Sequence, residues 1–339
     1  MNGVRTASPF TVRGSAVRCA AALLTTLALT TGCAAAGAQD ATDSSGGTGN
    51  AATPHMTIGM VSHSGDGDTF WDIVQNGAEQ AAAKDHVKFL YAHDKEGAQQ
   101  AALIQSYIDQ KVDGLIVTLA KPEAVQAAVR KAVARGIPVI TINSGGEFSK
   151  AYGALTHIGQ DESVAGRAVG EELNKRHAKK TLCVIHEQGN VSLEDRCAGV
   201  RKAFHGTVEN LDVDGTNAPA SQSSVEAKLQ SDKAIDAIVT LGAPMAAISV
   251  KAKEQAGSSA QIATFDLNSA VVKLLKAKDV TFAVDQQPYL QGYEAVDLLW
   301  LHRANADVLG GGKPVLTGPA LVSAKDVPKL TEYTGRGTR

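Results

Sequence analysis

The chain has 339 residues, 44% of them apolar and only 4% aromatic, with a formal net charge of −2. That balance excludes an electrostatic attraction to nucleic acid or to an acidic membrane surface, and the apolar share is ample for a core. Once an N-terminal leader is set aside, the length predicts two domains or one large one, at roughly 100–200 residues each.

The chain opens on basic residues, Arg5, Arg13 and Arg18, followed by an apolar run from Cys19 to Leu29 and a small-residue exit at Gly32 and Cys33. These are the parts of a secretory signal peptide. A run of about a dozen residues is too short for a spanning helix, which needs about 20. The Gly-Cys pair resembles a bacterial lipobox, in which the cysteine is lipidated and becomes the mature N-terminus. Residues 1–33 are therefore expected to be an export signal, with Cys33 as a lipid anchor on the extracytoplasmic face of the cell membrane. Thr30 stands where the usual lipobox has Leu, and Leu29 lies one step earlier; the alternative is an ordinary cleaved signal with an incidental cysteine. Residues 34–53, rich in Ser, Gly, Thr and Ala, cannot bury apolar area and are expected to form a flexible tether.

From Thr57 the pattern changes to short apolar runs between Ala-rich stretches of helical length. The runs lie at 58–61, 87–92, 114–119, 138–142, 157–159, 182–186, 211–213, 237–241, 262–265 and 282–284. They are rich in Val and Ile, as buried strands are. Phe70, Val74, Gly77, Ala78 and Ala81 share one face of a helix. Pro122 fits the first turn of a helix that Gly136 stops. Strands alternating with helices predict an α/β fold of parallel sheets with helices on both faces. About ten strands are too many for one small sheet and divide into two similar halves; an eight-stranded barrel is the rival.

Cys183 and Cys197 remain outside the leader. In an exported chain they are read as a disulfide, which would stabilise by about 3 kcal/mol on the chain-entropy model, or else as two buried free thiols.

In open α/β sheets ligands bind beyond the carboxyl ends of the strands. Those ends carry the segment 62–71 with Asp68, Phe70 and Trp71, then Asn143 and Ser144, then Glu194, Asp195 and Arg196. Asp266 and the Asp285, Gln286, Gln287 run follow. Carboxylate, amide and guanidinium planes exchange hydrogen bonds with adjacent hydroxyls, and aromatic faces cover the C–H face of a sugar ring. The set suits a neutral polyol. Taken singly, Phe70 reads as core, Asp68 as a helix N-cap and Arg196 as a surface ion pair.

Motifs for bond-breaking chemistry are missing from the sequence. Gly310 to Lys313 lacks P-loop spacing. Asp66-Gly67-Asp68 begins like a calcium loop, but Phe70 and Trp71 occupy ligand positions. The nine histidines form no zinc motif, and His186-Glu187 reads as a structural pair at a strand end. No Gly-x-Ser-x-Gly elbow is found. No enzyme activity, cofactor or metal is expected.

From Met56 to about Ser323 the chain resembles the periplasmic sugar-binding proteins of ABC transporters, the ribose-binding-protein group. The resemblance rests on Gly67-Asp68-Thr69-Phe70-Trp71 with Asn76-Gly77-Ala78, and on Ile137-Pro138-Val139-Ile140. It rests further on Arg196-Cys197-Ala198-Gly199-Val200, Thr264-Phe265-Asp266, and Asp285-Gln286-Gln287-Pro288 with Gly292. It implies the type I periplasmic binding protein fold, two Rossmann-like lobes joined by three crossovers near 159–161, 285–288 and 316–319. The lobes would be 54–160 with 287–315, and 161–286 with 316–330. Ligand contacts are implied for Asp68, Phe70, Trp71, Asn143, Arg196, Asp266 and Gln286. The group usually has Asp-Arg where Asn143-Ser144 stands and Asn-Asp where Gly242-Ala243 stands. An unsatisfied buried hydroxyl costs about 1–3 kcal/mol, so a hexose or inositol-like polyol is expected rather than ribose.

The implied function is an exported, monomeric solute-binding protein that delivers a monosaccharide or polyol to an ABC transporter permease by hinge closure. A sensor subunit presenting bound sugar to a membrane receptor or kinase is the alternative. A transcription regulator would carry a helix-turn-helix where this chain has its leader.

Overall fold

The ten apolar runs become strands, buried except at the two edge strands near 88–93 and 207–212, wound by helices into two similar halves. In the computed structural model, residues 55–65 and 67–339 are described; the signal segment, Cys33 and the 34–53 tether lie outside the described residues. The first half runs β1 (Thr57–Ser62), α1 (Thr69–Lys84), β2 (Lys88–His93), α2 (Gly97–Asp109), β3 (Gly114–Val117), α3 (Pro122–Ala134), β4 (Val139–Ile142), α4 (Gly146–Tyr152) and β5 (Thr156–Gln160). The second runs α5 (Glu162–Lys175), β6 (Lys180–Ile185), α6 (Val191–Ala203), β7 (Thr207–Asp212), α7 (Ala218–Ser231), β8 (Ala237–Thr240), α8 (Ala243–Gln255), β9 (Gln261–Phe265), α9 (Ser269–Ala277) and β10 (Phe282–Asp285). The chain closes with α10 (Pro288–Asn305), a short 3₁₀ turn, β11 (Val315–Gly318), β12 (Ala320–Val322) and α11 (Val327–Gly335).

The strands form two open six-stranded sheets, ordered β2-β1-β3-β4-β5-β11 and β7-β6-β8-β9-β10-β12. The two orders correspond strand for strand, and neither sheet closes into a barrel. All pairings are parallel except β10 with β12. In each sheet the order reverses beside the first strand, which sets a crevice at the carboxyl ends.

The chain passes between sheets after β5, again between β10 and α10, and last at Gly318–Pro319, whose peptide bond is cis. The lobe boundary expected between residues 315 and 316 falls inside β11, which stays paired with β5 as far as Gly318. Strands β11 and β12 were not foreseen, being three or four residues long and split by Gly-Pro. Strand β7 starts at Thr207 rather than 211; it is an edge strand with alternating exposure, so its apolar signal is thin.

Two glycine-mediated helix pairs set the site. A Cβ on Gly77 of α1 would lie 2.0 Å from the Tyr289 carbonyl of α10, and one on Gly292 would lie 2.0 Å from Val74 O. In the second lobe a Cβ on Gly166 of α5 would lie 2.1 Å from Arg196 O, and one on Gly199 of α6 would lie 2.5 Å from Ser163 O. Any larger residue forces these helices apart. The first pair places the start of α1, with Phe70 and Trp71. The second places α6, with Arg196. Cys183 on β6 and Cys197 on α6 are joined in a disulfide, with Cα atoms 6.0 Å apart. Both are fully buried, and the bridge pins α6 to the sheet one residue beyond Arg196.

Candidate functional site

The carboxyl ends of the two sheets face each other across a cavity of about 160 Å³. All seven residues singled out from the sequence line it: Asp68, Phe70, Trp71, Asn143, Arg196, Asp266 and Gln286. Asp285 and Gln287 do not; Asp285 accepts from Arg339 Nε at 2.7 Å, and Gln287 Nε2 donates to Thr317 O at 2.7 Å. Those two belong to the passages between the lobes.

Asp68 caps α1, its Oδ1 accepting from Phe70 N at 3.0 Å. It is therefore both the N-cap and a wall of the cavity, and burial pushes its carboxyl up to about 6. Phe70 and Trp71 meet edge to face, with ring centroids 5.2 Å apart, and Trp71 meets His63 in the same way at 5.0 Å. Both are buried in the core cluster of the first lobe while presenting a face to the cavity. They serve as core and ligand wall together.

A chain of amides crosses the floor. Ser144 Oγ donates to Asn143 Oδ1 at 2.7 Å, and Asn143 Nδ2 donates to Gln286 Oε1 at 3.1 Å. Gln291 Nε2 donates to the same Oε1 at 3.0 Å, and Gln286 Nε2 donates to Asp266 Oδ1 at 2.6 Å. Asn143 and Asp266 both have positive φ, 63° and 68°, which Asn and Asp tolerate better than most residues. Gln286 thus joins the first lobe through Asn143 to the second through Asp266. Burial pushes the Asp266 carboxyl up to about 7, with Arg196 and the Gln286 bond pulling the other way.

Arg196 is no surface ion pair: it is 3% exposed. Its Nε donates to Glu162 Oε2 at 2.6 Å, one terminal nitrogen to Glu162 Oε1 at 2.9 Å, and the other to Leu241 O at 2.9 Å. The guanidinium lies over the Phe265 ring, 4.7 Å from its centroid. Three of its five N–H groups are used, so two remain to donate. Gln160 Nε2 donates to Glu162 Oε2 at 2.8 Å and completes the pair.

The structure adds residues that were passed over. His186 and Glu187, read from the sequence as a structural pair, line the cavity with Asn190 and Ser192. Their signal was the placement rule itself, since they follow the carboxyl end of β6. Across the cleft, Val191 N donates to Ala120 O at 3.1 Å, Asn190 Nδ2 lies 3.3 Å from His63 Nε2, and Asn268 Nδ2 donates to Thr69 Oγ1 at 3.4 Å. These contacts close the lobes over the cavity. Burial lowers the His63 pKa, with Glu187 pulling the other way.

Asp68, Asp266 and Glu187 line the cavity together with His63 and Lys95, and Glu187 Oε2 lies 3.9 Å from His63 Nε2, whereas Arg196 is paired with Glu162. Carboxyl oxygens on the wall suit hydroxyl donors. Among the described residues no group of three or more His, Cys, Asp or Glu side chains could hold a metal ion, and no helix is long and apolar enough to cross a membrane.

Residues 58–306 match the periplasmic binding protein domain family, and the chain belongs to it. A carbohydrate transporter protein of Acidothermus cellulolyticus 11B, solved in complex with myo-inositol, superposes with a TM-score of 0.83 at 46% identity, covering 84% of this chain and all of that one. The ribose import binding protein of Bacillus subtilis is 25% identical over 272 residues, 76% of this chain and 83% of that one. An ABC transporter solute-binding protein of Burkholderia graminis C4D1M, solved with D-arabinose, shares the fold at 23% identity and a TM-score of 0.72, covering 80% of this chain and 96% of that one.

Proposed function

We propose that this periplasmic binding protein captures an uncharged polyhydroxylated six-membered ring between its lobes and hands it to an ABC transporter permease. The observation that carries the reading is the cavity wall. The Phe70–Trp71 face lies on one side, carboxylate acceptors surround it, and two unused Arg196 donors point to a ligand rich in adjacent hydroxyls. The myo-inositol complex of the 46% identical relative supports the same ligand class. Export, with Cys33 as a lipid anchor and residues 34–53 as its tether, fits a protein that must hold its ligand outside the cell and stay beside its permease. Nothing in the cavity supplies a nucleophile paired with a base, so binding without turnover is the reading.

Calorimetric titration of the soluble domain against myo-inositol, D-glucose, D-ribose, D-glucuronate and an inositol monophosphate tests it. A six-membered neutral ring should bind at least tenfold tighter than ribose, a difference of about 1.4 kcal/mol, and the two anions should not bind. Ribose binding tightest, or an anion binding at all, would sink the reading.

Affinity should also depend on pH. Ligand hydroxyls donate to ionised carboxylates, so they favour the charged forms of Asp266 and Asp68, which burial holds near 7 and 6. Binding should therefore strengthen as pH rises from 5 to 8 and should release protons. Folding runs in the opposite sense. A carboxyl raised above its unfolded value of about 3.9 contributes stability at low pH that is lost as pH climbs through the folded value. Titrations in buffers of different ionisation enthalpy would show the released protons; a pH-independent affinity between 5 and 8 would refute the assignment.

A further inference from the structure

The turn that carries Gln286 out of β10 is held from outside the cavity. Gln287, the next residue, has φ 56° and ψ 63°, a left-handed backbone that a side chain other than glycine adopts only with support from its surroundings. Its N–H donates to Asp285 Oδ1 at 3.0 Å, and its own Nε2 donates to Thr317 O at 2.7 Å. Asp285 is fully buried. Its other oxygen, Oδ2, accepts from Arg339 Nε at 2.7 Å, with a terminal guanidinium nitrogen at 2.5 Å. The remaining nitrogen lies 3.5 Å from Gln287 Oε1. Burying a carboxylate is costly unless it is paired and hydrogen-bonded, and here the pairing cation comes from 54 residues further along the chain.

The segment that delivers Arg339 reaches both lobes. Helix α11 packs into the core of the second lobe through Val327 and Leu330, and Ser269 Oγ of α9 donates to Thr334 O at 3.0 Å. Past α11 the chain turns at Gly337, with φ 68°. Asn76 Nδ2 of α1, in the first lobe, donates to Gly337 O at 3.0 Å. A Cβ on Gly337 would lie 3.0 Å from that same nitrogen, so the turn sits tight against α1. The last passage between the lobes stacks on the same spot, since a Cβ on Gly318 would lie 2.9 Å from Asp285 O and 3.0 Å from Gln286 Cα. One short tail therefore meets the first lobe at Asn76, the second at α9 and the connecting turn at Asp285.

We propose that residues 336–339 form a clasp for the closed state, with Arg339 as the positioning residue for Gln286. The assignment rests on the capture by lobe closure read above. Arg339 does not line the cavity and acts through the Asp285–Gln287 turn. With Asp285 pinned, the left-handed Gln287 sets the direction in which Gln286 enters the cavity, where it ties Asn143 to Asp266. The Asn76 bond joins the two lobes, so opening breaks it and closure regains it. Loss of either contact raises the open fraction, and apparent affinity falls with the fraction able to close.

Calorimetry and stopped-flow release with myo-inositol, on the wild type and on Arg339→Ala, Arg339→Lys and Asn76→Ala, test the clasp. Arg339→Ala should weaken binding about tenfold, nearly all of it as faster release. Arg339→Lys restores the charge but not the two-nitrogen contact, so it should stand about threefold below the wild type. Asn76→Ala, at an exposed position in the middle of a helix, should cost about threefold, the worth of one hydrogen bond, and leave the thermal midpoint of the ligand-free protein unchanged. In the ligand-free protein the Gln287 amide should exchange its hydrogen about tenfold faster in Arg339→Ala, while the amides of Leu182 and Val184 on β6 keep their wild-type rates. A merely structural role predicts a lower thermal midpoint with wild-type affinity and release. That result, unchanged Gln287 exchange, or wild-type affinity in Asn76→Ala would overturn the clasp. A wild type that binds no myo-inositol would overturn the ligand class instead, and the Gln287 exchange, which needs no ligand, would still decide the clasp.

Discussion

Replacing Arg196 with Met is expected to abolish ligand binding and to destabilise the fold by about 3–5 kcal/mol, the usual result of removing one member of a buried ion pair. The loss comes from what stays behind. Glu162 would keep only the Gln160 bond on its Oε2, Leu241 O would lose its donor, and the Phe265 face would lose its cation. The binding loss has a separate origin, the two guanidinium N–H groups that the internal partners leave free. Adding Glu162→Gln to Arg196→Met should separate the two effects. The double variant removes the orphaned charge and should recover most of the thermal midpoint, yet it should still fail to bind. Arg196→Lys keeps the charge but cannot make the forked contact to Glu162 together with the bond to Leu241 O, so it should fall between. Thermal melts with calorimetry on the three variants check this; wild-type affinity in Arg196→Met would remove the residue from the site.

Strand ends can be read from Val- and Ile-rich runs, and an open α/β sheet puts ligands there, but that rule also offered Glu194, Asp195, Asp285 and Gln287, which do not line the cavity; the family resemblance picked out the seven that do. What the sequence hid was set by packing between distant segments. His186 was within reach of the strand-end rule, but its close packing against Gly215 and Gly242 was not, because no local pattern links a strand-end histidine to glycines on two other loops. Arg196 looked like a surface charge because its partner, Glu162, lies on the preceding helix, and only the close approach of α5 and α6 through Gly166 and Gly199 buries both. Phe70 and Trp71 were read as either core or ligand wall. At the first turn of a helix lying against a cleft the two roles coincide, since both rings belong to the core cluster and also line the cavity. The strands β11 and β12 were missed because a few residues interrupted by Gly-Pro carry no period, yet they form the last passage between the lobes.

Gln286→Ala should weaken myo-inositol binding at least a hundredfold, about 2.7 kcal/mol, while lowering the thermal midpoint of the ligand-free protein much less than Arg196→Met does. The difference lies in which state needs the side chain. Gln286 sits where the chain passes from β10 to α10, and with the lobes closed it ties Asn143 of the first lobe to Asp266 of the second. Remove it and the closed form leaves the Asn143 amide and the Asp266 carboxylate buried without that bond, each costing about 1–3 kcal/mol. An open cleft lets water satisfy both groups, so the penalty falls on closure rather than on folding. Apparent affinity scales with the fraction of protein able to close, so a ligand that holds the lobes shut must supply the whole difference. Small-angle scattering at saturating myo-inositol should show the wild type contracting and Gln286→Ala contracting less. Gln286→Asn, one methylene shorter, keeps the amide but cannot span both partners and should resemble Ala. Affinity within threefold of wild type in Gln286→Ala would show that the bridge is incidental to closure, and that lobe closure depends on the seam at His63, Asn190 and Val191 instead.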